Sequence, residues 1–176
     1  MSVNDYEVLR RIDEWVDKGN EEQDPFNKFI SYWVAFNALY CLRAKKENPT
    51  IDETRGDRKK AIQIKVLISN RLDYIELYDE IITLLNKLNN FIPEKWSDGN
   101  KKYIKDELRD ALNKPNNEKI LEYLLKMTYK TRCNLMHGKK DYYNSNQRAL
   151  LETYNPILLK LIIAGIAGYK EKYDII

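Results

Sequence analysis

The stretch Asp24-Pro25-Phe26-Asn27-Lys28-Phe29-Ile30-Ser31-Tyr32-Trp33-Val34-Ala35-Phe36-Asn37-Ala38-Leu39-Tyr40-Cys41-Leu42-Arg43-Ala44 decides the fold. Asp24-Pro25 reads as a cap followed by proline in the first turn, where a missing N–H costs nothing. From Pro25 to Ala44, the residues Phe26, Phe29, Ile30, Trp33, Val34, Phe36, Leu39 and Tyr40 leave no continuous polar face. A helix that is apolar nearly all round is one that its neighbours bury. The rest of the chain must therefore supply helices to wrap it, and no strand-like alternation of useful length competes with that reading.

The flanking segments supply those helices. Val3, Tyr6, Leu9, Ile12 and Val16 repeat at helical spacing, with Asn4 or Asp5 as N-cap and Gly19-Asn20 as the expected end. Residues 45–60 are charged, contain Pro49 and Gly56, and are expected to form a long loop. Residues 61–88 are helical by pattern, through Ile64, Leu67, Ile68, Leu72, Ile75, Ile81 and Leu85, with a break expected near Asn70 or Asp73. Residues 89–100, with Pro93 and Gly99, form a second irregular connection. A short amphipathic helix over 101–113 is stopped by Pro115. Asn116 or Asn117 caps a helix carrying Ile120, Leu121, Leu124, Leu125 and Thr128. After a polar loop over 139–146 comes a last helix, with Leu150, Leu151, Tyr154, Ile157, Leu158, Leu161 and Ile162. Asn155-Pro156 is expected to kink or restart it. The expectation is an all-α helical bundle of four or more helices, joined by long irregular connections, in a single domain over residues 1–176.

Composition agrees with a folded, soluble chain. Of 176 residues, 43% are hydrophobic and 32% charged, which is neither disordered nor membrane-like. Cys41 and Cys133 stand far apart with no framework spacing and read as free thiols. Met1 to Glu7 is polar and acidic, unlike a signal peptide. The longest apolar run, 157–168, is interrupted by Lys160 and is shorter than a membrane span. The expected location is the cytoplasm, with no membrane partner.

The net charge of +3 excludes little, but its distribution says more. Between Glu122 and Asp141, Lys126, Lys130, Arg132, Lys139 and Lys140 face only two acids. A solvated helix end would look equally basic, because cations favour helix C-termini. The single histidine of the chain, His137, lies inside this basic stretch, in Thr131-Arg132-Cys133-Asn134-Leu135-Met136-His137-Gly138-Lys139-Lys140. One histidine among cations does not suit a metal, which wants several ligands at set spacing. A nucleophilic triad with distant members stays open. So does a purely structural histidine near a helix end.

Phosphodiester cleavage suits these residue types better. In RNA the 2′-hydroxyl attacks its own phosphate, which needs a base that titrates near neutrality and a fixed cation for the developing charge. Histidine and the arginine fork supply these without a metal or other cofactor. On one unbroken helix Arg132 and His137 would be about 140° apart. Either the helix breaks near Asn134, a poor interior residue, or the working pair is assembled otherwise. General acid–base work wants two groups and the chain has one histidine, so a two-fold dimer that brings two copies of Arg132 and His137 to one cleft is expected.

The segment Tyr129-Lys130-Thr131-Arg132-Cys133-Asn134-Leu135-Met136-His137-Gly138-Lys139 resembles the signature of the HEPN superfamily, an arginine separated from a histidine by four to six residues. Residues 29–40 also resemble a helix of Apea-like members, and together the likeness covers about residues 25–170. The resemblance implies a dimeric helical bundle. In many members it also implies a metal-independent ribonuclease of toxin–antitoxin, abortive-infection or other antiphage defence systems, with an antitoxin or defence protein as partner. Carried over by position, Arg132 and His137 match the catalytic pair, and Asn134 would orient the histidine or contact phosphate. Cys133 stands where many members have Asn, Asp or His. Lys139 stands where one subgroup has a tyrosine that is modified; Tyr142 and Tyr143 are the nearest tyrosines.

The expected function is thus endoribonuclease action on RNA, with Arg132, His137 and Asn134 catalytic and Lys130, Lys139 and Lys140 on flanking phosphates. For those lysines a solvated face is the plainer reading, and for Trp33 and Tyr40 core packing is plainer than base stacking. The alternative is a non-catalytic protein-interaction or nucleotide-binding module built on the same bundle.

Overall fold

Asp24 starts the central helix as its sequence requires. Its carboxylate accepts from the backbone N–H of Phe26 at 3.0 Å and of Asn27 at 3.1 Å, while Pro25 occupies the first turn. The computed structural model describes residues 5–51, 56–89, 104–114, 116–136 and 143–175. Among these, every regular element is helical: α1 (Asp5–Glu21), α2 (Pro25–Glu47), α3 (Asp57–Gln63), α4 (Lys65–Ile68), α5 (Tyr74–Asn89), α6 (Ile104–Asn113), α7 (Asn117–Met136) and α8 (Ser145–Lys172). The chain is an all-α bundle.

α2 and α8 form its axis. α1 lies along α2, and α2 packs on α8. α4 and α5 close the other side of α8, and α7 joins through α3, α4 and α6. The buried residues form one cluster to which every helix contributes. Phe29, Phe36, Leu39 and Tyr40 of α2 are wholly inside, as an apolar helix demands. α8 is, by length and composition, apolar enough to cross a bilayer. Here Tyr154, Ile157, Leu158, Leu161 and Ile162 are spent on the interior instead.

Several boundaries differ from those the sequence suggests. Gly19 does not end α1; the helix runs on to Glu21. A Cβ at Gly19 would fall on the Tyr32 ring, so glycine is there to let α1 approach α2. Asn20 adds to that contact by accepting from the Tyr32 hydroxyl at 2.8 Å. The long loop expected over 45–60 is shorter at both ends. α2 continues to Glu47, where Arg43 and Lys172 bond the Glu47 carboxylate, and α3 already begins at Asp57. Gly56 precedes it at φ 71°, a left-handed value that suits glycine. Residues 52–55 of that expected loop lie outside the described residues, as do 90–100 of the second connection and Pro115. The break expected near Asn70 or Asp73 falls over 69–73, and a further interruption occurs at Ile64. Asn116 is the cap of α7, accepting from the Lys119 N–H at 3.0 Å.

α8 runs through Pro156 without restarting. Proline there removes one backbone donor. The neighbouring Asn155 donates from Nδ2 to the Pro25 carbonyl at 3.0 Å, tying the start of α2 to the middle of α8. Arg148 reaches Asp24 at 2.6 Å from the same helix. The cap that opens the central helix is thereby also a tertiary contact.

Candidate functional site at the α2, α3 and α7 junction

α7 carries most of the expected site, and it is not broken at Asn134. The helix is continuous to Met136. Its core face is read from Leu124, Met127, Thr131 and Asn134, all buried and spaced by three or four residues. Asn134 therefore belongs to the interior. It is 2% exposed, and its Nδ2 is buried without a hydrogen-bond partner among the described residues. Arg132 is two positions earlier, about 200° round the helix, so the two side chains do not share a face. Lys130 stands a further two positions back and is likewise turned away from Arg132, on the side of Asn134. His137, Lys139 and Lys140 lie outside the described residues.

Arg132 points where Tyr129, one turn before it, also points: toward α2. Its guanidinium carbon is 5.7 Å from the centroid of the Trp33 ring. A cation over an indole face is held by the ring quadrupole, at about 0.5–2 kcal/mol depending on desolvation. Trp33 is itself fixed, 5% exposed, with Phe36 at 5.8 Å, Tyr40 at 6.0 Å and Tyr129 edge-on at 6.1 Å. Trp33 and Tyr40 are thus core residues, as expected, and Trp33 is also the platform for the arginine.

What Arg132 lacks is a counter-charge. Arg10, Arg43, Arg71, Arg109 and Arg148 each pair with a carboxylate. Among the described residues Arg132 has no ion pair. Its one side-chain hydrogen bond among them is a long contact from Nη1 to the Cys133 sulfur at 3.9 Å, and its Nε is buried and unmatched. A sulfur is a weak acceptor. Buried charges are normally paired, so a half-buried guanidinium without a carboxylate is suited to take an anion from outside.

The rest of the junction comes from elements far away in sequence. The Tyr40 hydroxyl is buried and without a hydrogen-bond partner among the described residues. Burial pushes its pKa well up, the Asp57 carboxylate adds to this, and the Arg132 guanidinium opposes it. Tyr129 is raised as well, first by burial, then by Cys133, with Arg132 again opposing. Both phenols are therefore neutral donors at physiological pH. Asp57, in the first turn of α3, lies 3.6 Å from the amino group of Lys60, a lysine only 3% exposed. The basic character expected along α7 is weaker than a count suggests, because Lys126 pairs with Glu122 at 2.8 Å and rests over Tyr123.

The structure thus joins Arg132 with Trp33, Tyr40 and Tyr129, the two tyrosines also feeling the Asp57 carboxylate, and separates it from Lys130 and Asn134. Sequence reading did not find Tyr40, Tyr129, Asp57 or Lys60 as site residues. The only signal was the tyrosine one turn before Arg132, since 92 positions separate Arg132 from Tyr40 and no spacing rule connects them. Among the described residues, no group of three or more His, Cys, Asp or Glu side chains could hold a metal ion. Comparison of this chain with protein-family models, with curated proteins and with solved structures finds no match.

Proposed function

We propose that this chain is a metal-independent endoribonuclease of the HEPN type that acts on RNA as a homodimer. The observation that carries the reading is Arg132: a half-buried guanidinium, fixed on an indole, with no carboxylate among the described residues, five positions before the only histidine of the chain. Such a cation is suited to a scissile phosphate. The 2′-hydroxyl oxygen attacks the adjacent phosphorus, the bond from phosphorus to the 5′-oxygen breaks, and the products are a 2′,3′-cyclic phosphate and a 5′-hydroxyl. His137 of one protomer takes the 2′ proton, and the second copy returns a proton to the leaving oxygen. Arg132 stabilises the charge on the phosphate oxygens. Asn134, buried with an unmatched N–H, acts by orienting the segment that follows rather than by touching phosphate. Lys139 and Lys140, and more weakly Lys130, hold flanking phosphates. The setting we propose is a toxin–antitoxin or antiphage defence system, with an antitoxin or defence protein as partner.

The test is to incubate the purified chain with total RNA in EDTA, beside Arg132→Ala and His137→Ala. Cleavage by the wild type alone, with cyclic-phosphate ends, is the expected result. RNA left intact by a well-folded dimer, across substrates, would instead favour the interaction module. Light scattering of the eluted protein reports the dimer separately.

A further inference from the structure

Two side chains against the same indole each carry a buried polar atom with no hydrogen-bond partner among the described residues. Tyr40 lies 6.0 Å from Trp33 and its hydroxyl is unmatched; the Arg132 guanidinium lies 5.7 Å from Trp33 and its Nε is unmatched. Native interiors satisfy nearly all such groups, so two orphans on one platform need a reason. Packing does not supply it. Phenylalanine would fill the Tyr40 site with no unpaired hydroxyl, and Tyr40 is wholly buried, so the hydroxyl is not there to meet solvent.

We propose that Tyr40 is a positioning residue for Arg132: when the guanidinium turns to meet a phosphate, its Nε–H donates to the Tyr40 hydroxyl oxygen. The two terminal nitrogens are then free to face the phosphate as a fork. The resting contact that Arg132 gives up is the weak one to the Cys133 sulfur, so the exchange costs little. The neutral phenol that this needs is what burial maintains. The phosphate as ligand rests on the nuclease reading above; the link between Tyr40 and Arg132 does not.

Three variants test this: Tyr40→Phe, Arg132→Lys and the double substitution. Because the hydroxyl makes no bond at rest, Tyr40→Phe melts at or above the wild-type temperature; a clear loss of stability would mean a structural role and overturn the proposal. In RNA cleavage, Tyr40→Phe lowers kcat by roughly ten- to hundredfold, the worth of a hydrogen bond to a charged group, with a smaller change in KM. Lysine has no Nε, so in the Arg132→Lys background Tyr40→Phe costs nothing further. Wild-type cleavage by Tyr40→Phe, or losses that multiply in the double variant, would overturn the link and leave the nuclease reading standing.

A second readout does not need turnover. The Nε–H of Arg132 is followed by NMR as a 2′-O-methyl oligoribonucleotide, which cannot be cleaved, is added. Proton exchange at Nε slows in the wild type and not in Tyr40→Phe. If the wild type fails to cleave any RNA yet shows this Tyr40-dependent protection, the nuclease reading falls and the positioning role holds. Exchange that is the same in both proteins sinks the positioning role.

Discussion

Replacing Gly168 with alanine is expected to separate α8 from α4. A Cβ there would lie 2.7 Å from the Leu67 carbonyl carbon and closer still to its oxygen. Carbon atoms in contact sit at about 3.5–4.0 Å, so the helices must part by roughly 1 Å. The obstacle is backbone, and no rotamer change removes it. A gap of that size forfeits about a quarter to a half of the attraction at each contact it opens, and Leu67 and Ile68 of α4 are wholly buried. Overpacking of this kind costs about 1–3 kcal/mol, and the upper end applies here. Alanine returns about 1 kcal/mol through helix propensity. The net loss is about 2 kcal/mol, or a melting temperature lower by about 4–8 °C for a chain of this size. Circular dichroism at 222 nm during heating measures it. Gly165→Ala is the internal control: its Cβ meets Leu39 Cδ2 at 2.8 Å, a side-chain terminus that can rotate, so its loss is smaller. A Gly168→Ala protein that melts at or above the wild type, or no lower than Gly165→Ala, would refute the reasoning.

Three further outcomes follow from the same structure. Tyr154→Phe removes a buried hydroxyl that bonds the Leu124 carbonyl at 3.0 Å and the Thr128 hydroxyl. Thr128 keeps its own bond to Leu124, so the expected cost is about 1–2 kcal/mol, seen as a lower urea midpoint at unchanged slope. The Glu47 carboxyl is held below its ordinary value of 4.5: burial works against this, but the hydrogen bonds and charges of Lys172 and Arg43 prevail. A depressed folded pKa gives stability that is present above the unfolded value and lost as pH falls through the folded one. Thermal scans from neutral pH into acid should therefore fall less steeply for Glu47→Gln than for the wild type, and parallel curves would contradict the assignment. For RNA binding, measured with a non-cleavable oligoribonucleotide, Lys139→Ala and Lys140→Ala each lower the salt slope by about 0.7, the value for one single-strand phosphate. Lys130→Ala lowers it less, because α7 turns Lys130 away from Arg132; an equal or larger effect would place the RNA on the other side of the helix.

The helices were largely legible in the sequence because they follow from local rules. Asp24-Pro25 could only be a helix start, and the apolar run behind it could only be an interior helix. Asn116 and the periodicity of α7 are equally local. The errors fell where a residue's local meaning and its tertiary meaning differ. Gly19 reads as a stop but serves as a gap for the Tyr32 ring. Asn134 reads as a helix breaker, yet it sits in the core stripe of an unbroken helix, where the packing of Thr131 and Met127 outweighs its weak propensity.

The candidate site divides in the same way. That Arg132 is the arginine nearest in sequence to the only histidine is a fact of the chain alone, and so are the resemblance it prompts and the chemistry it suggests. That Arg132 has no carboxylate among the described residues, lies on Trp33 and shares that platform with Tyr40 and Tyr129 depends on α2 and α3 meeting α7. Sequence determines what a side chain can do and which face of its own helix it occupies, because both depend on neighbours within one or two turns. Which charges are neutralised and which hydroxyls are left unmatched depends on residues tens of positions away, and only the packing of helices brings those together.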